Sequence, residues 1–260
     1  MFIIKLGGSV ITNKEKECCF KQKVVDQLAA EIKKANKQVI LIHGAGSFGH
    51  IIAKQYRLHN GFKQKKQIKG FARTQAMVQH LNSLVLASLH SHDIPAISIP
   101  PHAILSMSNH KLSRMNYAIF EHYLDLGFTP VSFGDVALDT RLGFSICSGD
   151  LLLQVLAAEF KPEKVIFVLD EDGVYSANPK TEKNATFIEK ATRRDLDTLT
   201  TRVNAHADVT EGMKGKLHTI KQIAREGVDT ILLNGNIHNR LYDTLKGKKV
   251  RSTIVYGDSI

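Results

Sequence analysis

The run Gln38-Val39-Ile40-Leu41-Ile42 passes without interruption into His43-Gly44-Ala45-Gly46-Ser47-Phe48-Gly49-His50. An apolar strand that ends in three glycines within six residues tightly limits what the chain can become. Glycine removes the Cβ that holds a backbone away from an anion, and it allows the positive φ values that aim successive N–H groups at one point. The stretch reads as a strand entering an anion cradle. Taken alone it is equally an ordinary glycine-rich turn, and the rest of the chain decides between the two.

The pattern recurs. Phe2 to Leu6 is a strand broken only by Lys5, followed by Gly7-Gly8-Ser9. Lys5 is either an edge charge facing water or an ammonium beside a phosphate, and the Gly-Gly turn favours the second. Val24, Val25, Leu28, Ala29 and Ile32 predict a helix over Gln22 to Lys34, so the chain opens as a βαβ unit. Further helices are predicted over Phe71 to His90, Tyr117 to Leu126, Leu151 to Phe160, Arg193 to Thr200 and Leu217 to Arg225. His102 to Asn116 reads as a loop or small hairpin. Strands are predicted at Pro95 to Ile99, Thr129 to Phe133, Lys164 to Leu169, Val228 to Leu233 and, as a last edge strand, Ser252 to Tyr256. The almost wholly apolar Lys164 to Leu169 suits a central parallel strand covered on both faces. These strands run into Gly134-Asp135, Asp170-Glu171-Asp172-Gly173 and Asn234-Gly235-Asn236. Ligands of open parallel sheets sit outside such carboxyl ends, so one crevice is expected.

Composition narrows the ligand. Thirty-five Lys and Arg against 25 Asp and Glu give a charge of +10 over 260 residues, which suits an anionic partner. Six Tyr, no Trp and no compact basic block leave little for nucleic-acid binding. Lys54 to Lys69 is rich in lysine, and reads as a solvated loop or as a basic lid over anionic ligands. Three cysteines, two of them the adjacent Cys18 and Cys19, argue against a disulfide framework. With no signal-like or membrane-length run, the expectation is a cytoplasmic enzyme with no membrane and no nucleic-acid partner.

The two glycine turns and a helix start at Gly212 are joined by Lys5, Lys14 and Lys216, which is more than one phosphate tail needs. A donor triphosphate facing a phosphorylated or carboxylated acceptor would need it, so phosphoryl transfer is the reaction class. The GxxxxGK[ST] loop and the protein-kinase motifs are absent. Asp170, Glu171 and Asp172 could hold a metal, but shaping a turn or binding a ribose is the favoured reading.

Lys5 to Ser9, His43 to His50, Gly134-Asp135, Ser148-Gly149-Asp150, Asp170 to Tyr175 and Asp208 to Lys216, in this order across nearly the whole chain, resemble the amino acid kinase superfamily. Within it, His-Gly-Ala-Gly-Ser-Phe-Gly-His is most similar to archaeal-type isopentenyl phosphate kinases. The resemblance implies an α/β fold, a three-layer αβα sandwich around a mainly parallel sheet. It implies one domain, with an acceptor lobe over about 1–160 and a nucleotide lobe over about 161–260, and a homodimer. The implied reaction is ATP-dependent, Mg²⁺-assisted phosphorylation of isopentenyl phosphate to isopentenyl diphosphate. By motif, Lys5 and Lys216 would hold the ATP phosphates, Lys14 would stabilise the transferring group, and Asp150 would orient the lysines. Gly7, Gly8, Ser9, Gly46, Asp170, Tyr175 and Gly212 would contact the nucleotide. His50, with Ala45, Gly49 and Gly149, would bind the acceptor, and Mg²⁺ would be held mainly by ATP phosphates rather than by protein ligands. The chain departs from the pattern at Leu169, Glu171 and Glu211; Glu211 is expected to weaken or alter nucleotide binding unless Lys214 compensates.

Rival readings are a kinase of another small phosphate or phosphonate, of fosfomycin or UMP type, and a non-catalytic nucleotide-binding sensor. An isoprenoid tail needs apolar walls, expected from Phe71, Met77 and nearby helix residues, whereas a nucleotide acceptor needs polar groups for its base.

Overall fold

Alternate residues of a strand face opposite sides, so strands apolar at nearly every position must be covered on both. The computed structural model describes residues 1–13, 15–197 and 211–258, without the side chains of residues 211, 212 and 214. Its strands in chain order are β1 (Phe2–Leu6), β2 (Val39–His43), β3 (Ala96–Ser98), β4 (Leu105–Ser108), β5 (Lys111–Met115), β6 (Thr129–Phe133) and β7 (Asp135–Asp139). They continue with β8 (Gly143–Cys147), β9 (Lys164–Leu169), β10 (Val174–Tyr175), β11 (Phe187–Ile188), β12 (Lys190–Ala191), β13 (Thr230–Asn234) and β14 (Thr253–Val255). Among the described residues the helices are α1 (Gly8–Ile11), α2 (Gln22–Ala35), α3 (Gly46–Gln55), α4 (Lys66–His90), α5 (Pro101–Ile104), α6 (Ala118–Asp125), α7 (Gly149–Phe160), α8 (Glu211–Arg225) and α9 (Arg240–Leu245). Residues 193–197 are also helical, and the rest of the expected Arg193 to Thr200 helix lies outside the described residues.

Six strands run parallel in the order β3-β6-β2-β1-β9-β13. Ile4, Leu41, Ile166 and Leu233 pack on one face against α2, α4 and α9. Ile3, Ile40, Phe167 and Leu232 pack on the other against α6, α7 and α8. This is the three-layer αβα sandwich, and β9 is central as its apolar run requires. The expected edge strand differs: β14 joins β13 antiparallel, and the short β12 lies outside it. The segment 102–116 is the α5 turn and the β4–β5 hairpin, which joins β7 and β8 in a second, four-stranded sheet. No helix among the described residues is long and apolar enough to cross a membrane.

The basic segment after His50 keeps its lysines exposed, as a solvated segment does, and is organised around Gln67. That side chain is 1% exposed. Its Oε1 accepts from the N–H groups of Lys63 (2.7 Å) and Gln64 (3.1 Å), and its Nε2 donates among the carbonyls of Tyr56 (3.1 Å), Arg57 (3.2 Å) and Gly61 (3.1 Å). The hub also starts α4 at Lys66, ahead of the apolar period that begins at Phe71. Gln67→Leu strands several buried backbone groups and is expected to cost about 1–3 kcal/mol. Urea unfolding measures this; an unchanged midpoint would remove the hub from the account.

Candidate active site

The first residues beyond the strands continue the ladder and thereby fix the turns. Gly7 N–H donates to Val168 O (2.9 Å), Gly44 N–H to Leu6 O (3.0 Å), Gly134 N–H to His43 O (2.9 Å) and Gly235 N–H to Leu169 O (2.8 Å). The first two turns then meet backbone to backbone. A Cβ on Gly8 would lie 2.9 Å from both N and Cα of Gly46, and one on Gly44 would lie 2.9 Å from Gly8 N. Only glycine permits that approach. The buried Thr12 clasps the two turns, its Oγ1 donating to Gly8 O (2.7 Å) and accepting from Ser47 N–H (3.0 Å).

The second glycine stretch is not an open loop. Gly46, at φ +50°, begins α3, so Gly49 and His50 stand within the first turns of a helix whose N–H groups favour an anion. Its two histidines differ in kind. His43 is fully buried, stacks on Phe133 at 5.3 Å, and its Nδ1 donates to Gly44 O (3.0 Å). Burial pushes its pKa down, so it is a neutral strut for the turn. His50 is exposed and lines the cavity.

That cavity, about 660 Å³, collects most of the expected residues. Lys5, Gly7, Gly8, Ser9 and Gly46 reach it from the first two turns, Gly149 and Asp150 from the start of α7, and Lys216 from α8; Ala45, Gly49 and His50 also line it. Lys5 is 5% exposed; its Nζ pairs with Asp150 Oδ1 and lies 5.6 Å from the Phe167 ring centre. Burial, and then the Lys5 charge, hold the Lys216 ammonium below its ordinary value, with Asp150 and Asp170 opposing the shift. The cavity therefore joins cationic side chains to a bed of backbone N–H groups, which suits phosphate oxygens.

The remaining wall is mainly apolar: Ala53, Val78, Val136 and Ile146 line it, beside the polar Thr74 and Asp135. Phe71 and Met77, expected there, do not. Phe71 packs on Phe144 at 5.2 Å behind Ala53 and Val136, and Met77 packs into the core beside α2. The helical period selects the buried face of α4 but not which of its residues meets a cavity.

Asp170 and Tyr175 stand outside this cavity. Asp170 connects to it through Ser9, whose Oγ donates to Oδ1 (2.8 Å), while Lys180 Nζ reaches Oδ2 (3.2 Å). Burial raises the Asp170 pKa, but these two partners outweigh it and hold the carboxyl low. Asp172 pairs with Arg240 and Arg251, so these acids shape the turn before β10. Tyr175 packs edge-on against Phe187 at 5.3 Å. Gly212 falls in the first turn of α8. Lys14, Asp208 to Thr210 and the side chains of Glu211 and Lys214 lie outside the described residues.

Sequence reasoning missed Thr12, Lys21, whose Nζ donates to Ser9 O (2.8 Å), and the pair His102 and buried Asp135 (2.7 Å). Thr12 and Lys21 flank the first turn, and their nearness to Gly7-Gly8 was the available signal. The sequence marks Asp135 only as the acid of Gly134-Asp135; its partner His102 is 33 residues away and carried no signal.

Glycine turns packed together at the carboxyl ends of parallel strands, two lysines and an aspartate above them, and an apolar wall alongside define an α/β protein that handles phosphate groups. The sequence matches the amino acid kinase family over residues 1–234, and the chain belongs to that family. It is 36% identical to the isopentenyl phosphate kinase of Methanothermobacter thermautotrophicus, over 99% of each chain. It is 34% identical to that of Methanocaldococcus jannaschii, over 95% of each. A solved isopentenyl phosphate kinase structure superposes with a TM-score of 0.87 at 34% identity, covering 98% of this chain and 99% of that one.

Proposed function

We propose that the chain transfers the γ-phosphoryl group of ATP to isopentenyl phosphate, yielding isopentenyl diphosphate and ADP. The observation that carries this reading is the continuity of a phosphate bed and an apolar wall in one cavity, supported by full-length similarity to isopentenyl phosphate kinases. An acceptor phosphate oxygen attacks the γ-phosphorus, the bond to the β-bridging oxygen breaks, and ADP leaves with that electron pair. Lys5 and Lys216, with the N–H groups of Gly8 and Gly46, neutralise the donor phosphates. Asp150 holds Lys5 in place. His50, Ala45, Gly49 and Gly149 seat the acceptor phosphate, and the wall of Ala53, Val78, Val136 and Ile146 takes the hydrocarbon tail. Such a wall gives a nucleobase few partners, which disfavours a UMP-type acceptor. Gly7, Ser9, Asp170, Tyr175 and Gly212 are assigned to the nucleotide, and Lys14 to the transferring group.

The described residues contain no cluster of three or more His, Cys, Asp or Glu able to hold a metal. Mg²⁺ held mainly by the ATP phosphates would neutralise charge on the β and γ groups. A cytoplasmic homodimer completes the proposal; three free cysteines are consistent with a reducing compartment. ³¹P NMR of the protein with MgATP and isopentenyl phosphate tests the reading. New diphosphate resonances together with ADP are expected; ADP and inorganic phosphate alone would overturn it.

Lys216 gives the reading a pH signature. With its pKa lowered in the empty cavity, its charge is lost at lower pH than that of an exposed lysine, and bound phosphates restore it. Above the lowered pKa, binding ATP therefore takes up a proton and affinity falls as pH rises. Calorimetry in buffers of different ionisation heat should find this uptake at alkaline pH and lose it in Lys216→Ala. Equal uptake in both proteins would contradict the assignment.

A further inference from the structure

A second, smaller pocket of about 290 Å³ opens beside the catalytic cavity, between the start of α4 and the β7–β8 hairpin. Phe62, Ile68, Phe71, Leu138 and Phe144 line it. Leu138 is 66% exposed, Ile68 58% and Phe62 42%, a concentration of large apolar side chains that a soluble surface rarely keeps without use. The pocket is built rather than incidental. Phe62 N–H donates to Leu142 O (2.7 Å), Phe62 and Phe71 lie 5.8 and 5.2 Å from the Phe144 ring, and Gln67 pins the segment between them.

Its surroundings are cationic. Residues 51–79 hold seven Lys and Arg and no Asp or Glu, and Lys63, Lys65, Lys66 and Lys69, flanking Phe62 and Ile68 in the chain, are all exposed. Both acids of the neighbouring hairpin are buried: Asp135 pairs with His102, and Asp139 accepts from the N–H groups of Asn109 (2.9 Å), His110, Arg141 and Leu142 (3.0 Å each). An apolar pocket under a basic rim complements an amphiphilic anion. Self-association through this face would oppose like charges. At about 30 Å³ per water-sized group, the pocket accommodates roughly ten carbon atoms.

We propose that this pocket binds a prenyl diphosphate of ten or more carbons, hydrocarbon inward and head group on the lysines, and that occupancy tunes acceptor binding. The route is contiguous: Phe71 and Phe144 pack against Ala53, Val136 and Ile146, three residues of the catalytic cavity's wall. Binding at the outer pocket presses on the surface that receives the acceptor tail.

Equilibrium dialysis of geranyl diphosphate against the intact protein, with and without saturating isopentenyl phosphate, tests this independently of turnover. One equivalent should bind in both cases. Leu138→Asp and the pair Lys65→Glu/Lys66→Glu, all at exposed positions outside the catalytic machinery, should each weaken binding at least tenfold while basal kcat/KM holds. Bound geranyl diphosphate should raise the KM for isopentenyl phosphate and leave the KM for ATP unchanged. Because the coupling is reciprocal, isopentenyl phosphate should weaken geranyl diphosphate binding to a limiting value. Absence of binding, an apparent dissociation constant that climbs without limit as isopentenyl phosphate is raised, or undiminished binding in both variants would overturn the proposal. So would a loss in these variants only of retention on phosphatidylglycerol vesicles, which would assign the face to membranes. If isopentenyl phosphate fails to be phosphorylated while geranyl diphosphate binding follows the variants, the proposed reaction fails and the pocket stands.

Discussion

Lys5→Ala is expected to lower kcat by roughly 10²–10³-fold, the cost of removing one preorganised donor from developing phosphate charge. The expectation follows from where the ammonium sits. It is 5% exposed on the strand that feeds the first glycine turn, its partner Asp150 comes from another element, and its Nζ lies over the Phe167 ring at 5.6 Å. A lysine so enclosed has few alternative positions, so its charge needs little reorganisation during transfer. Folding should change far less than activity, because the Asp150 side chain keeps 21% exposure and water can replace the lost partner. Lys216 should respond too: the Lys5 charge is the second cause of its lowered pKa, after burial. The alkaline limb of ATP binding should therefore move to higher pH in Lys5→Ala. Steady-state kinetics with a pH series measures both effects; a near-normal kcat would remove Lys5 from the mechanism.

Gly8→Ala should be comparably damaging for a different reason. The new methyl would lie 2.9 Å from two backbone atoms of Gly46, and a backbone cannot rotate away as a side chain can. One glycine turn must separate from the other, moving N–H groups that the proposed function assigns to the same phosphates; displacements near 1 Å cost about 10²-fold in rate. Forced repacking adds a destabilisation of about 1–3 kcal/mol. Kinetics and thermal unfolding together distinguish this from Lys5→Ala, which spares stability. A Gly8→Ala enzyme of full activity would mean that the close approach of the turns is dispensable.

The sandwich was legible because β1, β2, β9 and β13 are apolar on both faces and each ends at a glycine, acid or asparagine. Lys5 and the glycines of the first two turns were legible for the same reason, being local to strand ends, and Lys216 was legible from the family motif that carries it. What escaped was set by tertiary contact. Gln67 sits among lysines with no sign that five backbone groups converge on it. The apolar wall draws Val78 from α4 and Val136 and Ile146 from a hairpin some 60 residues further on, so no single periodicity picks them out. Tyr175 and Asp170 carry the family's motif, yet only Asp170 is linked to the cavity, through Ser9.

The central claim is that one cavity matches a phosphate to a short hydrocarbon tail. Comparing kcat/KM for isopentenyl phosphate, dimethylallyl phosphate, fosfomycin and UMP, with MgATP as donor, addresses it most directly. The account predicts that the two isoprenoid monophosphates exceed the others by at least tenfold. Preference for UMP or fosfomycin would contradict it, and ATP binding without turnover of any acceptor would instead make the chain a nucleotide sensor.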